Sequence, residues 1–517
     1  MSDAMSSDML HEPIAAGGTT VNLSLISHTN AGKTTLARTL LGRDVGEVRD
    51  AAHVTDVATG YVLVQTGGDT LMLWDTPGFG DTSRLLQRLR NSGNPIGWFV
   101  SQVWDRWKER PLWSSQQAVK NARDHADVIL YLVNAAEDPA GAAYVPLEME
   151  VLQWIGKPVI LLLNQMGPPR ADADDEVRRW HDHLSAIGVV RGAMPMDAFA
   201  RCWVQEGALF DKIEPLLPPA KQPAMDRLTD EWQRINLDEF HQAMKVLAGP
   251  LVAAGKDREP VAGRKMLSQL TDLLRGGEEG QAEARKAMAK LAERVEAATL
   301  TSTESLIRIY GLTGKATKQV LERMGKDYEN AEPANEGFAA ILGGIVSGAA
   351  TGLAADVAAG GLTLGGGMIV GGILGALGAG TLARGYNLVR GDDGSSVSWS
   401  DEFFEGLVRS ELLRYLAVAH FGRGRGDYTE SEHPPYWQEA VAQVVAGRQG
   451  EVQALLRDIR HNVAGAPDKA EALLTRLART LLERLYPEAA GVFAGDAGHK
   501  PEQLPEQPTT QQPGQKA

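Results

Sequence analysis

Residues 27–36 read SHTNAGKTTL, and their types and spacing suit one kind of chemistry. A loop of small residues closed by Gly32-Lys33-Thr34 aims successive backbone N–H groups inward, where a following helix N-terminus helps them meet phosphate oxygens. The cradle would run through Ser27, His28, Thr29, Asn30, Ala31, Gly32, Lys33, Thr34 and Thr35. Within it the Lys33 ammonium pairs with β- and γ-phosphates, and the Thr34 hydroxyl ligates Mg2+. Ser27 stands where the usual pattern has its first glycine, a residue that tolerates positive φ cheaply. A second motif, WDTPGFGD at 74–81, comes after another apolar run. Its Asp75 can hold the same magnesium through water. Gly78 offers an N–H to a terminal phosphate, so that loss of the phosphate frees the segment beyond it.

These groups need strands and helices to bring them together, and the pattern supplies both. VNLSLI (21–26), YVLVQT (61–66), TLMLWD (70–75), VILYLVN (128–134) and VILLLN (159–164) are strand candidates separated by helix-compatible stretches. Their near-continuous apolar character predicts an α/β three-layer sandwich with a mostly parallel sheet, covered by helices on both faces. Residues 1–19 read as a disordered leader, and LPPAKQP (217–223) as a linker. Residues 224–486 predict an all-α domain, and 487–517 are Pro- and Gln-rich and read as a disordered tail.

Composition narrows the function classes. At 517 residues the chain exceeds a single core, so more than one domain is expected. A formal net charge of -14 disfavours duplex nucleic acid as a partner, since that needs a basic face. One cysteine, Cys202, excludes an intrachain disulfide and fits a reducing cytoplasm. The first residues lack the basic and apolar regions of a signal peptide.

SHTNAGKTTL followed by WDTPGFGD resembles the translation-factor class of P-loop GTPases, in its Era-like branch, over residues 20–217. ESLIRIYGL (304–312) and GLAADVAAGGLTLGGGMIVGG (352–372) extend the resemblance to an uncharacterised bacterial group with a helical, glycine-rich C-terminal domain. The resemblance implies a P-loop NTPase fold, GTP or GDP with Mg2+ as cofactors, and GTP hydrolysis that is slow without an activator. It implies that Thr55 closes over the magnesium, alongside Thr34 and Asp75, although a plain surface threonine is the competing reading. Lys33, Thr55 and Gly78 become the candidates for acting on the γ-phosphate. Asn30 matches an asparagine that helps bind K+ in potassium-activated relatives; its other role is to shape the loop. Phe79 replaces the glutamine that orients water in Ras-like proteins, which implies help from a cation, a nucleotide-dependent homodimer or another partner. Where Asn-Lys-x-Asp should read guanine, the chain has NQMG (164–167). Asn164 and Gln165 are then the base-side candidates, but Gly167 cannot supply the carboxylate that accepts two guanine hydrogen bonds. Ala198, in MDAFAR, takes the usual place of a further base-contacting residue.

Two segments stand outside this site. NPIGWFVSQVWDRWKERPLW (94–113), within an insert at 84–123, places Ile96, Phe99, Val100, Val103 and Trp107 at helical spacing. The bland reading is a helix packed into the protein; the others are a nucleotide-sensitive docking surface or an interfacial helix. In 337–383, glycines at 344, 348 and 352, then at 367, 371 and 375, line one face of each half of a Gly-rich helical hairpin. Such a hairpin either inserts in the inner membrane or packs as a soluble pair inside the helical domain. The expected function is a nucleotide-dependent switch or mechanochemical GTPase, working through a membrane or membrane-protein partner. The alternatives are a catalytically weak nucleotide-sensing scaffold and a ribosome- or RNA-associated Era-type GTPase.

Overall fold

The computed structural model describes residues 10–11, 17–42, 45, 57–80, 82–90, 93–101, 109–166, 173–196, 202–260, 277–312, 386–391, 394–420, 433–486 and 491–493. Strands β1 (Leu10–His11), β2 (Thr20–Ser27), β3 (Thr59–Thr66), β4 (Asp69–Asp75), β5 (Val128–Asn134), β6 (Val159–Asn164) and β7 (Val190–Pro195) form one sheet in the order β1-β3-β4-β2-β5-β6-β7. The pairs β4–β2, β2–β5, β5–β6 and β6–β7 are parallel, whereas β3 runs antiparallel to β4. β5 and β6 are apolar at almost every position and buried throughout apart from Asn134, as strands need to be when helices cover both faces.

Helices α1 (Lys33–Leu41), α7 (Trp203–Ile213) and α8 (Gln222–Lys256) share a core with Leu23, Leu25, Leu71, Leu73, Leu130 and Leu132. The opposite face, with Ile129, Tyr131, Val133 and Leu161, packs on α2 (Thr82–Leu89), α3 (Pro95–Ser101), α4 (Arg110–Asp124), α5 (Tyr144–Ile155) and α6 (Ala173–Leu184). Among the described residues, the tryptophan-rich stretch 94–113 therefore contributes α3 and the start of α4 where the sequence suggested one long face. Ile96 and Phe99 are buried in that second core and Val100 packs against it; Val103 and Trp107 lie outside the described residues.

The stretch that read as a linker is pinned to the sheet. Leu217 is buried, and Lys221 Nζ donates to Thr20 O at 2.7 Å and to both Asp127 carboxylate oxygens at 2.7–2.8 Å. Further along α8, Arg227 pairs with Asp69 at 2.7 Å, and Asp69 also accepts the Thr19 N–H at 2.8 Å. The hydrophobic core then continues without a break from the sheet into the C-terminal helices.

Among the described residues those helices are α8, α9 (Gly277–Ile309), α10 (Asp401–Ala419), α11 (His433–Ala446), α12 (Gln449–Arg460) and α13 (Ala466–Leu485). The helical region also contains a small antiparallel sheet that the sequence pattern did not suggest, made by β8 (Arg258–Pro260), β9 (Tyr386–Gly391) and β10 (Gly394–Trp399) in the order β8-β10-β9. In the bundle interior, the fully buried Arg414 pairs with Glu411 and donates to Thr299 O, Ser302 Oγ and Thr303 Oγ1 of α9 at 2.7–2.8 Å. The glycine-rich segment 337–383 lies outside the described residues. Among the described residues, no helix is long and apolar enough to cross a membrane.

Candidate nucleotide-binding site

The loop after β2 is shaped by two left-handed residues. Gly32 has φ +92° and Asn30 has φ +67°, a conformation asparagine tolerates better than most side chains. Ser27 is not among the positive-φ residues: it ends β2 in ordinary strand geometry, so glycine is not required there. Its buried hydroxyl instead works inside the loop, donating to His28 O at 2.5 Å and accepting from Lys33 Nζ at 2.8 Å. Lys33 Nζ also reaches His28 O at 3.4 Å. The ammonium is thus folded back over the loop at the first position of α1. Burial lowers its pKa to about 8, against the opposing pull of the Asp75 and Glu148 charges.

The second motif closes on the first. Thr34 Oγ1 donates to Asp75 Oδ2 at 2.7 Å, across 41 residues of sequence. Beyond Asp75 the chain turns along the loop: Phe79 N donates to Ser27 O at 2.9 Å, and Thr29 donates to Phe79 O through its N–H at 3.1 Å and its hydroxyl at 2.6 Å. This pairing presses Gly78 onto the loop. A Cβ there would stand 2.8 Å from Thr29 Cα and 3.0 Å from Thr29 N and Lys33 Nζ. Only a residue without a side chain fits.

Asn164 closes the third side. It is buried at the end of β6, its Nδ2 donates to Ala31 O at 3.1 Å, and its O accepts the Ala135 N–H at 2.8 Å. A Cβ on Gly32 would meet that Nδ2 at 3.0 Å. Asn164 therefore braces the loop. Gln165 comes next in the left-handed region, φ +61°, and is exposed. Thr35 is buried on α1, while His28, Thr29 and Ala31 are partly buried and Asn30 is exposed. Thr55, Gly167 and Ala198 lie outside the described residues.

The donor set suits a phosphorylated, magnesium-bearing ligand. A hydroxyl and a carboxylate side by side, Thr34 and Asp75, are hard oxygen ligands of the kind Mg2+ takes. Lys33 and the loop amides supply positive charge, and Gly78 leaves room for close approach of its backbone. Sequence reasoning missed one group at this site, the buried Glu148 of α5, which contacts His28 of the loop at 2.6 Å. It belongs to no motif, and either acid of YVPLEMEVLQWI, Glu148 or Glu150, reads as a solvated helix position.

Comparison with known proteins covers most of the chain. The family model described as 50S ribosome-binding GTPase matches residues 22–165, and that described as a domain of unknown function (DUF3482) matches residues 192–481. No curated protein matches the chain. Among solved structures, the chain is similar to a point variant of Era from Aquifex aeolicus bound to GDP.AlF4- (20% identity, TM-score 0.28, covering 39% of this chain and 57% of that one). It is similar to Era in complex with MgGDPNP and nucleotides 1506-1542 of 16S ribosomal RNA (22% identity, TM-score 0.28, 39% and 58% covered). A third is the FeoB G-domain from Methanococcus jannaschii (15% identity, TM-score 0.23, 38% and 99% covered). The chain spans less than two thirds of the length of either Era structure.

Proposed function

Because the chain belongs to the family defined by the domain of unknown function (DUF3482), joined here to a P-loop GTPase domain, we propose that it is a GTP-dependent switch with slow intrinsic hydrolysis. The observation that carries this reading is the convergence of Lys33, Thr34, Asp75 and Gly78 on one loop, with Thr34 and Asp75 2.7 Å apart. Lys33 and the amides of 29–34 would hold the phosphates, and Thr34 and Asp75 would hold Mg2+, with Thr55 as a further ligand. When bound, Mg2+ supplies charge neutralisation at the terminal phosphates. Gly78 would sense the γ-phosphate through its N–H, so that Phe79 and α2 change position when that phosphate is lost.

Slow turnover is expected from Phe79. Its side chain is fully buried in the α2–α6 core and cannot orient an attacking water. Acceleration would come from K+ at Asn30, from a nucleotide-dependent homodimer or from a partner. Guanine preference rests on the family alone, because NQMG lacks the carboxylate that would accept the guanine hydrogens. The helical domain, joined to the sheet through α8, would carry the nucleotide state to a membrane or membrane protein by way of 337–383.

Phe79 and NQMG together favour a second reading, a nucleotide-sensing scaffold that scarcely hydrolyses. The name of the matching GTPase family gives another destination, the ribosome. Turnover of the full chain, measured with K+ or Na+ over a range of protein concentrations, separates switch from scaffold. Rates that rise with K+ or concentration support the switch, and hydrolysis at the background rate throughout supports the scaffold. Flotation with anionic liposomes, set against co-sedimentation with 50S subunits, tells the two destinations apart.

A further inference from the structure

The carboxylate of Glu148 lies where three elements meet. Its side chain is fully buried on α5. Oε1 lies 2.6 Å from His28 Nδ1 in the phosphate loop and accepts the hydroxyl of Thr82, the first residue of α2, at 3.0 Å. Oε2 accepts the Tyr131 hydroxyl from β5 at 2.6 Å. A buried carboxylate is costly unless its charge is met, and here three donors meet it. Because a carboxylate oxygen accepts, the contact assigns the His28 proton to Nδ1. On its other side the His28 ring packs against Tyr144, 4.3 Å between centroids, and the Tyr144 hydroxyl donates to Glu137.

The three donors differ in what they belong to. Tyr131 sits on a central strand, fully buried and fixed by neighbours on both sides. His28 is the second residue of the phosphate loop, and Thr82 opens the helix just past DTPGFG. These two are the parts that nucleotide would move. They are already tied once by the backbone bridge between His28 and Phe79. Glu148 ties them again, through side chains, to a strand that stays put.

We propose that Glu148 is a positioning residue that sets the phosphate loop and the start of α2 in register with each other, so that the state of one is imposed on the other. This rests on the GTPase reading above. Without the shared carboxylate, the loop can still hold a nucleotide, but segment 79–89 no longer responds to the presence of the γ-phosphate.

Glu148→Gln tests this in the full chain, because the amide keeps the shape while placing an N–H where a donor now points. The expected result is GDP affinity within about threefold of wild type, and kcat lowered about tenfold with KM changed less than about threefold. Hydrogen exchange of 79–89 should lose the extra protection that wild type gains with a non-hydrolysable GTP analogue and Mg2+ over GDP. A merely structural role would lower Tm and leave both the kcat and the exchange difference in place; that outcome overturns the proposal. Should Glu148→Gln fail to fold, Thr82→Val and His28→Ala each remove one donor. Their effects on the exchange difference should overlap in the double variant, and simple additivity overturns the proposal. Failure of wild type to bind nucleotide overturns the GTPase reading together with this one. Wild-type binding with an unaltered Glu148→Gln overturns this one alone.

Discussion

Replacing Lys33 with methionine should raise the stability of the nucleotide-free chain while destroying its ability to bind nucleotide. The ammonium is buried, and its pKa falls from an ordinary 10.5 to about 8, chiefly through burial. At about 1.4 kcal/mol per pH unit, the folded chain holds the charged form about 3 kcal/mol less favourably than the unfolded chain does. Methionine has nearly the same length and no charge, so the penalty disappears. The variant loses the hydrogen bonds to Ser27 Oγ and His28 O, roughly 0.5–1.5 kcal/mol each, which leaves a net gain of about 1–2 kcal/mol at pH 7. The pH dependence has a definite sign. A lysine with a lowered folded pKa binds fewer protons folded than unfolded, so wild-type stability climbs as pH rises from about 8 towards 10.5. The advantage of the variant should shrink over that window. Urea denaturation of both proteins at pH 7 and pH 9.5 reads the difference, and a nucleotide titration should show affinity down at least about a hundredfold. A variant less stable than wild type at pH 7, or a difference that does not change with pH, would refute the argument that Lys33 is held in strain for the sake of a ligand.

Three further outcomes are expected from the packing. Gly78→Ala drives a Cβ to 2.8 Å from Thr29 Cα, a clash with backbone that costs about 1–3 kcal/mol; calorimetric titration should show triphosphate affinity falling about tenfold or more while GDP is less affected. Asp69 is held below the usual carboxylate range by the Thr19 N–H and by Arg227, so its contribution to stability is present above the ordinary carboxylate pKa and lost as pH falls through the lowered folded value. Arg227→Ala should therefore flatten the acid limb of a stability–pH curve measured between about pH 5 and pH 2. In the bundle, Arg414→Met strands the buried Glu411 and should cost about 3–5 kcal/mol by urea denaturation, most of it recovered when Glu411→Leu is added.

The sheet was legible where strands are buried on both faces. Residues 128–134 and 159–164 were expected as strands and are β5 and β6, and the runs at 21–26 and 70–75 lie inside β2 and β4. β7 escaped because an edge strand pairs on one side only, and VRGAMP, with Arg191 exposed and Gly192 part-exposed, makes no apolar run. β8, β9 and β10 are short and polar, and the pairing of β8 with β10 spans more than a hundred residues. Pro218 and Pro219 gave 217–223 the look of a linker, although Leu217 and Lys221 anchor it from either side. At the site, the motifs carried the groups with fixed spacing, Lys33, Thr34, Asp75 and Gly78. They misled about Ser27, since the left-handed positions turn out to be Asn30 and Gly32. Glu148 could not be read at all, because the residues that give it a role lie 120, 66 and 17 positions away.

Equilibrium titration of the full chain with a fluorescent guanine nucleotide in Mg2+, with unlabelled GTP and ATP as competitors, bears most directly on the phosphate cradle at 27–35. Saturable binding displaced by GTP in preference to ATP, abolished in Lys33→Ala and weakened in Asp75→Ala, is the expected result. No saturable binding by wild type, or wild-type affinity retained in Lys33→Ala, would contradict it.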